Sequence, residues 1–462
     1  MAMVLTGDGL NRREWLCGVA ALATAASLPV SAAAGPAPNI IFIMADDLGY
    51  ADLGCYGGRI VATPHIDALA TGGVRLTQAY ANSCVCSPTR LALLTGRYQY
   101  RLPLGLEEPL TRAKVGLPPD IDSLPRRLAA GSYRTALIGK WHLGEDPFPG
   151  PLENGYQSFY GIKKGGADYF SHLAYGQPVK DDDGLFDNRE RSGDTGYLTD
   201  LLTDRAVAEI AQAGRGRQPL FLSLHYTAPH WPWEGPEDEA VASSLRDIRH
   251  YDGGSLKTYA AMLSSLDRGV GRVLAALRDA GMNGNSIVIF TSDNGGERFS
   301  DVWPLIGMKG ELLEGGIRVP CMVSWPGHIA PGMVSRQVAI SMDWAPTLLD
   351  AAGLSGWTWD GISLLDALTG CDGATSRTLF WRHHQHNQMA VRHGEWKYLR
   401  IKGREGLFDL ASDERGRANR ITAEPAIADD LKRRFAQWND GMLQYADSNY
   451  SYDAGAQAMD RP

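Results

Sequence analysis

Four short apolar runs punctuate the chain: Asn39-Ile40-Ile41-Phe42-Ile43-Met44, Thr135-Ala136-Leu137-Ile138-Gly139, Leu220-Phe221-Leu222-Ser223-Leu224 and Ser286-Ile287-Val288-Ile289-Phe290. Runs this short and this continuous suit strands covered on both faces, because a half-buried strand alternates apolar with polar positions. Stretches with helical spacing lie between them, among them Leu201 to Ala213 and Tyr259 to Ala280. Alternating strands and helices predict an α/β fold, a large mixed and mostly parallel sheet flanked by helices. Every run ends in polar residues: Asp46 and Asp47, Lys140 and His142, His225 and His230, Asp293 and Asn294. Ligands of open parallel sheets bind beyond the carboxyl ends of the strands. One Asp or Asn there commonly caps a turn; four runs ending this way point to a convergent site.

The pattern changes near Gly370-Cys371-Asp372-Gly373. Beyond it Thr378 to Trp381, Met389 to Arg392 and Trp396 to Ile401 read as antiparallel strands, and Ala426 to Trp438 as a helix. The chain is therefore divided into a segment 1–34, a main domain 35–372 and a smaller C-terminal α+β subdomain 373–462 with an antiparallel sheet. The polar tail from Ser448 is expected to be loosely held. Segment 1–34 has the order of a secretory signal: Arg12-Arg13, an apolar run from Cys17 to Leu28, then the small residues Ser31 to Ala34. The paired arginines fit twin-arginine export, and the run is shorter than the ~20 residues of a spanning helix. A periplasmic or secreted protein without stable membrane association follows.

Composition narrows the chemistry. The 462 residues carry a net charge of −8, with 44% hydrophobic and 21% charged residues, which is ordinary for a globular chain and excludes global disorder. No basic stripe suits nucleic acid. The six cysteines, at 17, 55, 84, 86, 321 and 371, are too sparse for a disulfide framework. One of them stands in the most specific stretch of the chain, Cys86-Ser87-Pro88-Thr89-Arg90-Leu91-Ala92-Leu93-Leu94-Thr95-Gly96-Arg97. Pro88 suits a first helical turn, Ser87 an N-cap, and Leu91 and Leu94 a core-facing stripe. Cys86 then stands at a helix amino terminus, where unpaired amides favour an anion, with Arg90 one turn on. Asp46, Asp47, Asp293 and Asn294 offer only oxygen, which suits a hard divalent cation such as Ca²⁺ or Mg²⁺. Lys140 and His142 alternate along what reads as an extended segment and so face one way. Reading Cys84-Val85-Cys86 as a redox or metal pair leaves every other motif unexplained.

The Cys86 stretch resembles the signature of the sulfatase family, Cys-x-Pro-x-Arg followed by Thr-Gly-Arg. The resemblance continues through Asp46-Asp47-Leu48-Gly49, Gly139-Lys140-Trp141-His142-Leu143-Gly144, Ser292-Asp293-Asn294-Gly295 and Gly307-Met308-Lys309-Gly310, in that family's order. It implies an alkaline-phosphatase-like fold and conversion of Cys86 to formylglycine by a maturation enzyme. The hydrated aldehyde attacks sulfur with one hydroxyl and expels sulfate by deprotonation of the other. By the same resemblance Asp46, Asp47, Asp293 and Asn294 hold Ca²⁺, with Mg²⁺ as the alternative. Arg90, Lys140 and Lys309 surround the diol and sulfate, His142 takes the second diol proton, and His230 protonates the leaving alcohol together with Lys309. Asp293 is a further candidate for taking the nucleophile's proton. The implied substrate is a sulfated carbohydrate or another small sulfate ester. Two alternatives stay open: a phosphonate or phosphate ester hydrolase of the same superfamily, and a non-catalytic binding protein with a sulfatase-like shell. Trp231, Trp233, Trp303, His383, His384 and His386 lie near these motifs without an assigned role.

Overall fold

The four apolar runs lie side by side as strands. In the computed structural model, which describes residues 36–453 apart from 112–114, 146, 175–182, 245–253, 355, 357, 359 and 371–375, they form β1 (Asn39–Ala45), β2 (Arg134–Gly139), β4 (Leu220–His225) and β5 (Ser286–Ser292), with β3 (Ser158–Gly161) between the second and third in sequence. The expected signal segment 1–34 and the expected boundary at 372–373 fall outside the described residues. The spatial order is β5-β1-β4-β2-β3, all parallel, and β6 (Cys321–Ser324) runs antiparallel along β5. Short strands extend both edges to ten in all.

Both faces of this sheet are covered, which is why its strands read as unbroken apolar runs. Ile41 and Ile43 point to one side, against Leu202, Ile210, Leu263 and Val270 of helices α2 (Leu198–Gly214) and α3 (Leu256–Asp279). Ile40, Phe42 and Met44 point to the other, against α1 (Cys86–Thr95) and α4 (Trp344–Ala351). Register then sets the site. Ala45 pairs with Ser292, and Met44 with His225, itself paired with Gly139, so Asp46, Lys140 and Asp293 leave the sheet at one level.

All ten residues of α1 are buried, and the helix begins at Cys86 with Val85 extended before it. The expected Ser87 cap is not made: Ser87 lies inside the helix and its Oγ accepts the Leu110 amide at 2.7 Å. The helix ends at Gly96, whose left-handed φ of 62° lets its amide return to the Ala92 carbonyl.

Toward the carboxyl terminus, β7 (Thr378–His383), β8 (Gln388–His393), β9 (Trp396–Ile401) and β10 (Arg404–Asp409) form an antiparallel sheet in sequence order. Met389, Val391, Tyr398 and Leu407 pack under helix α5 (Pro425–Asn439), while Leu379, Trp381, Ala390 and Leu399 pack against Tyr80, Ala92, Tyr98 and Tyr100 of the main body. The end of the described chain departs from the expected loose tail. The Tyr452 amide donates to the Glu108 carbonyl at 2.7 Å and the Glu108 amide to that of Tyr450 at 2.9 Å. Backbone pairing and burial of the Tyr452 ring outweigh the polar composition of this segment. No helix among the described residues is long and apolar enough to cross a membrane.

Candidate active site

Asp46 and Asp47 follow β1 directly. In an extended chain two consecutive side chains diverge, but Asp47 takes a left-handed φ of 63°, a conformation Asp tolerates better than most residues. Both carboxylates consequently share one cluster with Cys86 and His230, one atom from each lying within 4.8 Å of the others. From α1, Arg90 places Nε and Nη2 at 3.0 and 2.7 Å from Asp293 Oδ2, and Nη1 donates to the Lys140 carbonyl. Lys140 Nζ lies 2.5 Å from Asp46 Oδ2, and Lys309 Nζ 2.7 Å from Asp47 Oδ2. Asn294 donates through Nδ2 to Asp47 Oδ1 at 2.7 Å. His230 Nε2 stands 3.6 Å from Asp47 Oδ2, and its ring stacks on Trp231.

His142 differs from expectation. It is not extended but left-handed, with φ 60°, and its Nε2 lies 2.7 Å from the Leu110 carbonyl. A carbonyl only accepts, so Nε2 carries the hydrogen and Nδ1 the lone pair, and Nδ1 is buried without a partner. Lys140, Arg90 and His230 are its charged and titratable neighbours. A Cβ on Gly165 would come within 2.7 Å of the imidazole, so the ring keeps this place because residue 165 has no side chain. All ten residues singled out from the sequence are buried and meet in one crevice.

Burial dominates the electrostatics. It pushes the Cys86 thiol up, away from the thiolate form. Burial, reinforced by Asp293, drives Asp46 up to about 8. Burial works the same way on Asp293, but Arg90 and Lys140 outweigh it and hold that carboxyl below its ordinary range. Burial, with Lys140 beside His142 and Lys309 beside His230, holds both imidazoles neutral. Lys309 is the reverse: burial disfavours its charge, yet Asp47 and Glu297 keep it firmly protonated.

A divalent cation fits this donor set. Asp46 Oδ1 and Asn294 Oδ1 are buried and accept no hydrogen bond, a costly state that a hard cation relieves. Two further residues of the crevice were not anticipated. Glu297 stands 3.7 Å from Lys309, and the Tyr452 hydroxyl donates to Glu297 at 2.6 Å. Glu297 was legible as a charge just beyond Asp293-Asn294-Gly295-Gly296; Tyr452 carried no local signal. The histidines beyond the main sheet are engaged within the protein, His383 with Glu108 and the Tyr452 carbonyl, His384 stacked on Tyr445, and His386 with Asp453.

The sulfatase family profile matches residues 38–354, and the carboxyl-terminal profile of N-sulphoglucosamine sulphohydrolase matches residues 309–439. The chain belongs to the sulfatase family. This sulfatase is 36% identical to arylsulfatase A of Bos taurus over 456 residues, 89% of this chain and 83% of that one. It is 32% identical to N-acetylgalactosamine-6-sulfatase of Sus scrofa over 399 residues, 81% and 73% of the two chains. The crystal structure of Ps i-CgsB in complex with k-i-k-neocarrahexaose superposes with a TM-score of 0.80 at 30% identity, covering 92% of this sulfatase and 97% of that chain. Phosphonate monoester hydrolase of Agrobacterium radiobacter, at a TM-score of 0.63 and 19% identity over 90% of this chain and all of its own, shares the fold alone. The fold is thus alkaline-phosphatase-like, and the sulfatase is a sulfuric ester hydrolase.

Proposed function

We propose that this sulfatase releases inorganic sulfate from a sulfated carbohydrate, with Cys86 matured to formylglycine by a separate enzyme. The observation that carries the reading is the meeting of Cys86, Asp46, Asp47 and His230 within 4.8 Å, ringed by Arg90, Lys140 and Lys309. Matured to hydrated formylglycine, residue 86 would supply two hydroxyls, one to displace the alcohol from sulfur and one whose deprotonation would re-form the aldehyde as the carbon–oxygen bond to sulfate breaks. Asp46, Asp47, Asp293 and Asn294 would hold Ca²⁺, or Mg²⁺ in its place, which supplies charge stabilisation to a sulfate oxygen. Arg90 orients Asp293 through two hydrogen bonds to Oδ2, while Oδ1 accepts the Asp47 amide at 3.3 Å. Lys140 and Lys309 add preorganised positive charge where the sulfate oxygens come to lie. Neutral His142, with its lone pair on Nδ1, takes the diol proton. Lys309, held charged, is the proton source beside the leaving oxygen, and His230 shares with it the same Asp47 oxygen.

The sugar assignment draws on the relatives, one solved with k-i-k-neocarrahexaose and one named for N-acetylgalactosamine 6-sulfate. Residues 35–372 form the catalytic domain in this reading, 373–462 the subdomain that closes one wall, and 1–34 an export signal to the periplasm or beyond. Turnover of matched aryl sulfate and aryl phosphonate esters tests it. Sulfate preference is expected; a large phosphonate preference reverses the assignment.

A further inference from the structure

The segment 450–453 enters the crevice. Ser451 and Glu108 pair as a parallel bridge, the Ser451 hydroxyl donates to Glu108 Oε2 at 3.1 Å, and buried His383 holds the Tyr452 carbonyl through Nε2 at 3.0 Å. Clipped on both sides, Tyr452 has its side chain beside the site: its hydroxyl donates to Glu297 Oε1 at 2.6 Å, and its ring centre lies 5.5 Å from Lys309 Nζ. With Oε1 so engaged, Glu297 turns Oε2 toward Lys309 at 3.7 Å, and Oε2 has no hydrogen-bond donor of its own. Lys309 thus has two carboxylate partners, Asp47 hydrogen-bonded at 2.7 Å and Glu297 at 3.7 Å, and the two carboxyls are themselves neighbours.

A lysine ammonium is a point charge on a flexible stem, so its position depends on its counter-ions. Those counter-ions are Asp47 and Glu297, and Glu297 is in turn held by the Tyr452 hydroxyl. We propose that Tyr452 and Glu297 are positioning residues for the leaving-group step: the segment 450–453 is part of the catalytic apparatus, and its phenol, by holding Glu297 as the second counter-ion of Lys309 beside Asp47, sets where the ammonium stands toward the oxygen of the departing alcohol. This inference rests on the reading of Lys309 as proton source given above.

The test is a series of sulfate esters whose leaving groups run from 4-nitrophenol, which departs without a proton, to an unactivated alcohol, which needs one. Tyr452→Phe removes a single hydroxyl and keeps the ring. It is expected to lower kcat about tenfold for the poor leaving group, within the range spanned by general acid catalysis, and less than about twofold for 4-nitrophenyl sulfate, with KM little changed in both. Glu297→Gln, of the same size, is expected to show the same slope and carries the test should Tyr452→Phe fold poorly. Equal losses along the series, or none, in the folded variants overturn the inference. Lys309→Ala separates the two layers. A steep dependence there with a flat one in Tyr452→Phe and Glu297→Gln overturns only the role of the segment 450–453. A flat dependence in Lys309→Ala overturns the reading of Lys309, and the role of that segment with it.

Discussion

Among the described residues, the crevice and the junction of the antiparallel sheet with the main body each hold a buried cluster of charge, built from the same kinds of residue and finished differently. Where the antiparallel sheet meets the main body, Glu314 Oε1 accepts from Lys397 at 2.7 Å and Oε2 from the Tyr80 hydroxyl at 2.7 Å, with Arg318 at 3.6 Å. Lys397 also donates to the Leu312 carbonyl, and Arg392 spreads its donors over Gln78, Tyr80 and the Gly394 carbonyl. Burial works against the charge of Glu314, but Lys397, Arg318 and Arg392 outweigh it and hold the carboxyl down to about 2. In the crevice, four carboxylates (Asp46, Asp47, Asp293, Glu297) face three cations, Asp46 is pushed up to about 8, and Asp46 Oδ1 and Asn294 Oδ1 accept nothing. The closed cluster fastens two parts of the fold; the open one is completed by what binds there. Both Glu314 oxygens accept hydrogen bonds, whereas Asp46 and Asn294 each keep a buried oxygen with no donor.

The largest effect that sharpens this contrast is chemical. Cys86→Ala should lower sulfate ester turnover by at least about 10³-fold, as removal of a nucleophile does, while the unfolding midpoint in chelator stays at the wild-type value. Next comes Glu314→Gln, which strands Lys397 and Arg318 in the interior. Breaking a buried pair costs about 3–5 kcal/mol, read as a lower urea midpoint, and kcat per folded molecule should be unchanged. If Glu314→Gln instead abolished turnover in folded protein, the division between the clusters would fail.

A smaller effect separates open from closed by ligand. At a Ca²⁺ concentration of about 100 times Kd, the wild type should gain about 2.7 kcal/mol over its chelated form. Asp46→Asn should gain none of this and, with one excess carboxylate removed, be no less stable than chelated wild type. Calcium-independent stability of the wild type would break the comparison. The effects of pH on the two clusters have opposing signs. Asp46 has a folded value near 8 against an ordinary 3.8, so between these the folded state binds the extra proton and chelated protein should weaken as pH rises from about 4 to 8. Glu314 has a folded value near 2 against an ordinary 4.5, so its contribution is complete above 4.5 and is lost as pH falls toward 2. Urea midpoints of chelated wild type, Asp46→Asn and Glu314→Gln across this range check both signs.

The main sheet was legible because double-sided burial leaves an unmistakable run such as Ile40 to Met44, and the site because each run stops at a polar residue in common register. The two- and three-residue edge strands, such as Val74–Leu76 and Phe186–Asp187, are too short to carry any period. β10 was missed because exposed Arg404 and Glu405 and Gly406 dilute its apolar positions. His142 read as extended because a left-handed residue leaves no mark when it is not glycine or asparagine. Tyr452 was hidden more deeply, since its place depends on backbone pairing with Glu108 across the whole length of the chain.

The central claim is that the residue encoded as Cys86 works as an oxidised, hydrated side chain inside the open cluster. Peptide mass spectrometry across Ser83 to Arg90, on protein whose specific activity has been measured, tests it most directly. The account predicts an aldehyde mass at position 86 in proportion to activity; full activity with that residue still a thiol would contradict it.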